Sequence, residues 1–187
     1  ILYRNSGWIL NYFMYLTGTE AMAYVLLFLM CAVLVVISFL FHELGHKFMA
    51  QRLGLWSEYR MFNLGLVITL VSSLVGFLFA APGAVMINGY VNKKENGLIS
   101  IAGPAVNMVF AAIGILGCLV FNGNPIIIFF MLLASLNSAL ALFNLLPIPP
   151  FDGSKIVSWS PVIWVVAIAI AVLEFLCIRG MDLYYVL

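Results

Sequence analysis

The chain alternates long uncharged apolar runs with short polar breaks, the rhythm of membrane spans rather than of half-buried surface helices. Runs bounded by charges, glycine or proline predict spans at about 21–41, 98–121, 126–145 and 162–178, each close to the roughly 20 residues that cross a bilayer. The first is predicted to continue as helix to Leu53, because Gly45 alone interrupts it and Gly54 supplies a C-terminal stop. A fifth run, 64–81, is broken by Gly65, Ser72-Ser73 and Gly76 and is ambiguous. The stretch 8–16 is too short to cross, and Trp8, Tyr12 and Tyr15 suit the headgroup level. Residues 183–187 read as the opening of another segment. Two polar turns stand out: Asn88-Gly89, which predicts a small β-hairpin between 84–87 and 90–91, and the proline-rich stretch 144–153 ending in Asp152-Gly153.

Composition turns this pattern into a class. Apolar residues make up 65% of the 187 and charged residues 8%, against roughly a quarter charged in soluble proteins. The expected fold is an all-α polytopic membrane protein, a bundle of about four to six transmembrane segments in one domain over 1–187. The net charge of +1 and the lack of a polybasic run exclude nucleic acid as a partner. Cys31, Cys118 and Cys177 lie in separate apolar runs and read as buried small hydrophobes. The chain starts at Ile1 rather than methionine, as a trimmed sequence would, and no cleavable signal pattern is visible.

Chemistry concentrates at one point. Both histidines of the chain, His42 and His46, lie four residues apart with Glu43 beside the first, so that residues 42–46 read H-E-x-x-H at the end of the first span. On a helix the two imidazoles stand roughly 40° apart around the axis, with Glu43 inside the same arc of roughly 100°. Two nitrogen ligands and a free carboxylate on one face are what a zinc peptidase needs. Burying these groups near a bilayer is costly unless they are paired or metal-bound. One Zn2+ ion is therefore the expected cofactor. It needs a third protein ligand, and no third histidine exists. Glu58 falls just past the helix end and is awkward; Glu174, in the last span, is a candidate as any intramembrane acid is, although a bundle-stabilising pair with Arg179 is the role favoured for it over a proton or water path. Asp152, at a proline-broken helix end where a side chain can turn back into the bundle, is preferred.

Three stretches together resemble the site-2 proteases, intramembrane zinc metalloproteases: H-E-L-G-H at 42–46, Ala102-Gly103-Pro104 opening a later span, and N-L-L-P-I-P-P-F-D-G at 144–153. The resemblance runs from about Val33 to Lys155. It implies His42, His46 and Asp152 as zinc ligands, Glu43 as the base that activates water, and Asn144 as a residue that positions substrate or stabilises the oxyanion. The implied activity is hydrolysis of peptide bonds within or near transmembrane segments of membrane proteins, carried out by a catalytic core at about 21–160. The partners it implies are a transmembrane substrate and the lipid bilayer.

A shared metal constrains topology. If His46 and Asp152 meet, the helices they end must finish on one side, and counting back through the spans puts region 82–97 there too. The run 64–81 then cannot cross once and is expected to be a re-entrant or surface-buried element. Lys47, Arg52, Arg60, Lys93, Lys94 and Lys155 all fall on that side, which the positive-inside rule makes cytoplasmic in a multi-pass cell-membrane protein. Two other functions compete. One is a membrane zinc peptidase acting on soluble or lipidated termini, with Glu174 as third ligand. The other is a non-proteolytic metal-binding protein, such as a transporter or inactive scaffold. A transporter would spread ionisable groups along a path through several spans, and an inactive scaffold would lack Glu43.

Overall fold

The structure, a computed structural model, describes residues 7–61 and 83–186. Among them the order is α1 (Gly7–Thr17), α2 (Glu20–Arg52), β1 (Trp56–Met61), β2 (Gly83–Asn88), α3 (Lys93–Val120), α4 (Ile127–Asn144), α5 (Asp152–Trp159) and α6 (Pro161–Val186). Four helices, α2, α3, α4 and α6, are long and apolar enough to cross a membrane. Their outward faces stay apolar, with Phe28 71% and Leu173 67% exposed, as lipid-facing helices require and a water-soluble surface would not tolerate in such number. The chain is a helical multi-pass membrane protein with a small two-stranded sheet. At 33 residues α2 is about 50 Å long, well beyond a hydrocarbon core of about 30 Å. One helix can thus carry an uncharged span and still end in Lys47 and Arg52.

These elements form two compact units. The first comprises Ile1–Ser38, Asn107–Phe143 and Val166–Leu187; the second comprises Phe39–Val106 and Asn144–Val165. In the first, Ile9 of α1, Leu34 of α2, Cys118 of α3, Met131 and Leu133 of α4 and Ile178 of α6 share one apolar core. Cys118 is buried as expected, whereas Cys31 is half-buried and Cys177 exposed. A polar knot sits in this unit. The Asn107 amide donates to Asn137 Oδ1 at 2.8 Å, and the Asn137 amide donates to Ser38 Oγ and the Leu133 carbonyl, both at 2.9 Å. All three side chains are fully buried, so their hydrogen bonds are met by protein, as a low-dielectric interior demands. Glu174 is not paired with Arg179, the structural role first expected of it: five residues separate them on α6, and the Arg179 guanidinium instead lies over the Phe175 ring, 5.1 Å from its centroid. The residues expected to open a new segment continue α6 to Val186.

The second unit is shaped by explicit helix ends. Gly54, at φ +78°, closes α2: its N–H bonds the Gln51 carbonyl at 2.9 Å and Leu55 N–H bonds Ala50 at 3.0 Å, the paired reversal that glycine permits after a helix. At the start of α3, Asn92 Oδ1 accepts from Glu95 N–H while Glu95 Oε2 accepts from Asn92 N–H, both at 2.9 Å, a reciprocal capping box. The sheet differs in place from the hairpin expected at Asn88-Gly89. β2 pairs antiparallel with β1, from Trp56 opposite Asn88 to Met61 opposite Gly83, so Asn88-Gly89 ends β2 and leads toward α3 instead of folding the strand back. The expected re-entrant element at 64–81 lies outside the described residues.

Candidate metal centre

All the chemistry foreseen at the end of the first span falls within the second unit. One turn of α2 separates His42 from His46, and the rings meet edge to face with Nε2 atoms 3.1 Å apart. Asp152, first residue of α5, directs Oδ2 to the same point, 3.1 Å from His46 Nε2 and 3.5 Å from His42 Nε2. All three side chains are buried. They form a group able to hold a metal ion, with ligand atoms all within 4.8 Å of one another. Donors about 2.0–2.2 Å from a tetrahedral centre lie about 3.3–3.6 Å from each other, so these spacings are close to what zinc requires. Two imidazoles and one carboxylate also match a site that keeps its fourth position for water.

Hydrogen bonding fixes one donor's state. His46 Nδ1 lies 2.8 Å from the Ile99 carbonyl of α3, and a carbonyl can only accept, so Nδ1 carries a proton and donates it. In the neutral ring Nε2 then offers its lone pair to the common point, the usual arrangement for a ligating imidazole with a carbonyl behind it. Burial alone would raise the Asp152 carboxyl, but with no ion bound, protonated His42 and His46 outweigh it through their hydrogen bonds and charge and hold the group well below the ordinary carboxylate range; a metal ion at the same point would take the place of those protons. The carboxylate is therefore ionised and ready to bind a cation. Glu43 is buried beside the histidines, its carboxylate within hydrogen-bonding reach of the Val85 backbone amide in β2.

Several contributors were not legible as site residues. The Ile99 carbonyl is a backbone group without a sequence signature. Gly103, noted only as part of the Ala102-Gly103-Pro104 stretch, lies against the ligating atoms themselves: a Cβ there would stand 2.7 Å from His42 Nε2 and closer still to His46 Nε2. The Ala102-Gly103-Pro104 stretch was the available hint. Lys155, counted only for membrane orientation, places Nζ 3.6 Å from Asp152 Oδ1. Asn144 is the last residue of α4 and half-buried, and it is not part of the metal-holding group. Glu174 is also outside that group, and its Oε2 is buried without a hydrogen-bond partner. Glu58 is an exposed residue of β1, its Oε2 3.5 Å from Arg60.

A multi-pass helical membrane protein with H-E-x-x-H and a converging aspartate defines a class, the membrane metalloproteins built to hold one catalytic-type zinc. Comparison with known proteins narrows it. The chain is 39% identical over 145 residues to "Putative zinc metalloprotease MJ0611" of Methanocaldococcus jannaschii, a match covering 76% of each protein. It is 30% identical over 141 residues to "Putative zinc metalloprotease YwhC" of Bacillus subtilis, covering 65% of this chain and 64% of the relative. With "Putative zinc metalloprotease Rip2" of Mycolicibacterium smegmatis it shares 29% identity over 150 residues, 71% of this chain but 57% of the relative. No family profile and no solved structure matches the chain. The chain belongs to this family of zinc metalloproteases, and zinc is its cofactor.

Proposed function

We propose that the protein is an intramembrane zinc protease of the site-2 type, hydrolysing peptide bonds within or near transmembrane segments of membrane proteins. The observation that carries this reading is the convergence of His42, His46 and Asp152 in a chain built from apolar spans. In it, His42, His46 and Asp152 hold the ion, which when bound supplies Lewis acidity toward a water and a peptide carbonyl. Glu43, on the same helical face as the imidazoles, takes the proton of the attacking water and returns it to the leaving amine nitrogen. The Val85 backbone amide, within reach of the Glu43 carboxylate, would orient it for these tasks. Asn144 donates its side-chain amide to the developing oxyanion.

A helical substrate hides its carbonyls in i to i−4 hydrogen bonds and must be extended before attack. β2 offers an edge to which an extended segment adds by backbone hydrogen bonding. The centre opens toward the cytoplasmic face, where Lys47, Arg52, Lys93, Lys94 and Lys155 gather under the positive-inside rule. The test is cleavage of a panel of reconstituted transmembrane substrates by wild type and Glu43→Gln, with zinc measured on both. Glu43→Gln keeps its zinc and loses cleavage; equal cleavage by the two proteins refutes the assignment.

A further inference from the structure

The Asp152 carboxylate has two differently occupied oxygens. Oδ2 faces both imidazoles, while Oδ1 lies 3.6 Å from the Lys155 ammonium, three residues further along α5. A carboxylate can ligate zinc through one oxygen or through both. With two imidazoles already bound, the second mode would bring the protein donors to four and close a tetrahedral centre, as in structural zinc sites; the first leaves the open position a catalytic centre needs. An ammonium beside Oδ1 opposes the closed mode, because moving that oxygen onto the ion gives up its ion pair and draws two positive charges together.

We infer that Lys155 is a positioning residue of the metal centre, engaging Oδ1 of Asp152 so that this ligand binds through Oδ2 alone and one coordination position stays open. The inference rests on the zinc assignment above. Lys155 is set apart from Arg60, whose exposed side chain faces Glu58 on β1 and reaches no member of the metal group. Its own side chain is 44% exposed against 11% for Asp152, so it meets the carboxylate from the solvent-facing side while the imidazoles meet it from within.

Cobalt(II) in place of zinc reports coordination number through its visible bands. Wild type, Lys155→Met and Lys155→Arg are loaded with cobalt in detergent, the metal is counted, and each is titrated with imidazole. Imidazole is neutral, so the charge removed at position 155 does not itself weaken its attraction to the site. Wild type and Lys155→Arg shift their bands as imidazole fills the open position. Lys155→Met retains the metal, shows altered bands before any imidazole is added, and needs about 10-fold more imidazole for the shift. A Lys155→Met titration like that of wild type overturns the proposal. So does loss of cobalt from Lys155→Met, which would make the lysine necessary for holding the ion, and so do altered bands in Lys155→Arg, which keeps a cation beside Oδ1. Wild type that takes up no metal overturns the zinc assignment instead.

Discussion

Substituting Gly103 by alanine tests whether α3 forms a wall of the metal centre. The added Cβ would stand 2.7 Å from His42 Nε2, short of ordinary van der Waals contact, which begins near 3.4 Å, by about 0.7 Å, and the deficit toward His46 Nε2 is larger. The clash cannot be relieved harmlessly. Rotating the imidazoles moves the donor atoms, and withdrawing α3 lengthens the 2.8 Å bond from His46 Nδ1 to the Ile99 carbonyl. Zinc ligand distances tolerate only about 0.2 Å, so either response exceeds the tolerance severalfold. The expected loss is about 10- to 100-fold in zinc affinity, or roughly 1.4–2.8 kcal/mol of binding free energy. Zinc per chain, measured after equilibration in detergent against graded chelator, reads the effect, and circular dichroism checks that the helices persist. Gly180→Ala is the control, because a Cβ there meets nothing within 4 Å. It leaves zinc unchanged and stabilises α6 by about 0.5–1 kcal/mol. Wild-type zinc affinity in Gly103→Ala would refute the placement of α3 against the ligands.

Other contacts in the protein set further expectations. Asn137→Leu strips Asn107 and Ser38 of a buried partner and lowers stability by about 1–2 kcal/mol; an unchanged thermal midpoint in detergent would count against the polar knot. Asn92→Ala removes the cap of α3 and destabilises by about 1 kcal/mol, whereas Asn96→Ala, inside the helix and exposed, does not. Single cysteines at Glu58 and at Asn92 react with a membrane-impermeant maleimide from one face only, the same for both, because β1 and β2 are paired; reaction from opposite faces would break the topology.

How much could be read in advance follows from which interactions are local. The four spans, the long continuation of α2 and its stop at Gly54 were legible because helix length, hydropathy and a glycine reversal are properties of contiguous residues. The pairing of His42 with His46 was legible for the same reason, since helical spacing alone puts them on one face. The sheet was misplaced because a hairpin rule assumes that the partner strand follows the turn. Here β2 found its partner in Trp56–Met61, upstream and beyond a long intervening stretch. Asn88-Gly89 kept its turn chemistry, with Gly89 at φ +129°, and used it to leave the sheet. The fate of Glu174 was misjudged by a similar shortcut: opposite charges near each other in sequence suggested a pair, but a spacing of five residues does not align side chains on a helix, and Arg179 took the aromatic face of Phe175.

The metal centre lies between these extremes, and its least legible part is its strongest argument. H-E-x-x-H shows that two imidazoles and a carboxylate share a face, but not which imidazole nitrogen bears a proton or whether the point they face holds a donor or only acceptors. The Ile99 carbonyl answers for His46: with Nδ1 committed to donation, Nε2 of the neutral ring is left as an acceptor. Asp152, held ionised, is also an acceptor, and its Oδ2 stands 3.1 Å from that nitrogen. Two acceptors at hydrogen-bond distance with no proton between them repel each other, so the arrangement is favourable only with a positive species at their common point, either a proton on the imidazole or a metal ion. His42 adds a second nitrogen 3.1 Å from that of His46, so without an ion each imidazole must carry its own extra proton and two positive rings meet edge to face. A single divalent cation serves all three atoms at once, and Gly103 lets α3 pack directly against the two nitrogens, where any side chain would collide with them. The case for an ion thus draws on a backbone carbonyl and a missing side chain on α3, groups that lie outside the H-E-x-x-H motif.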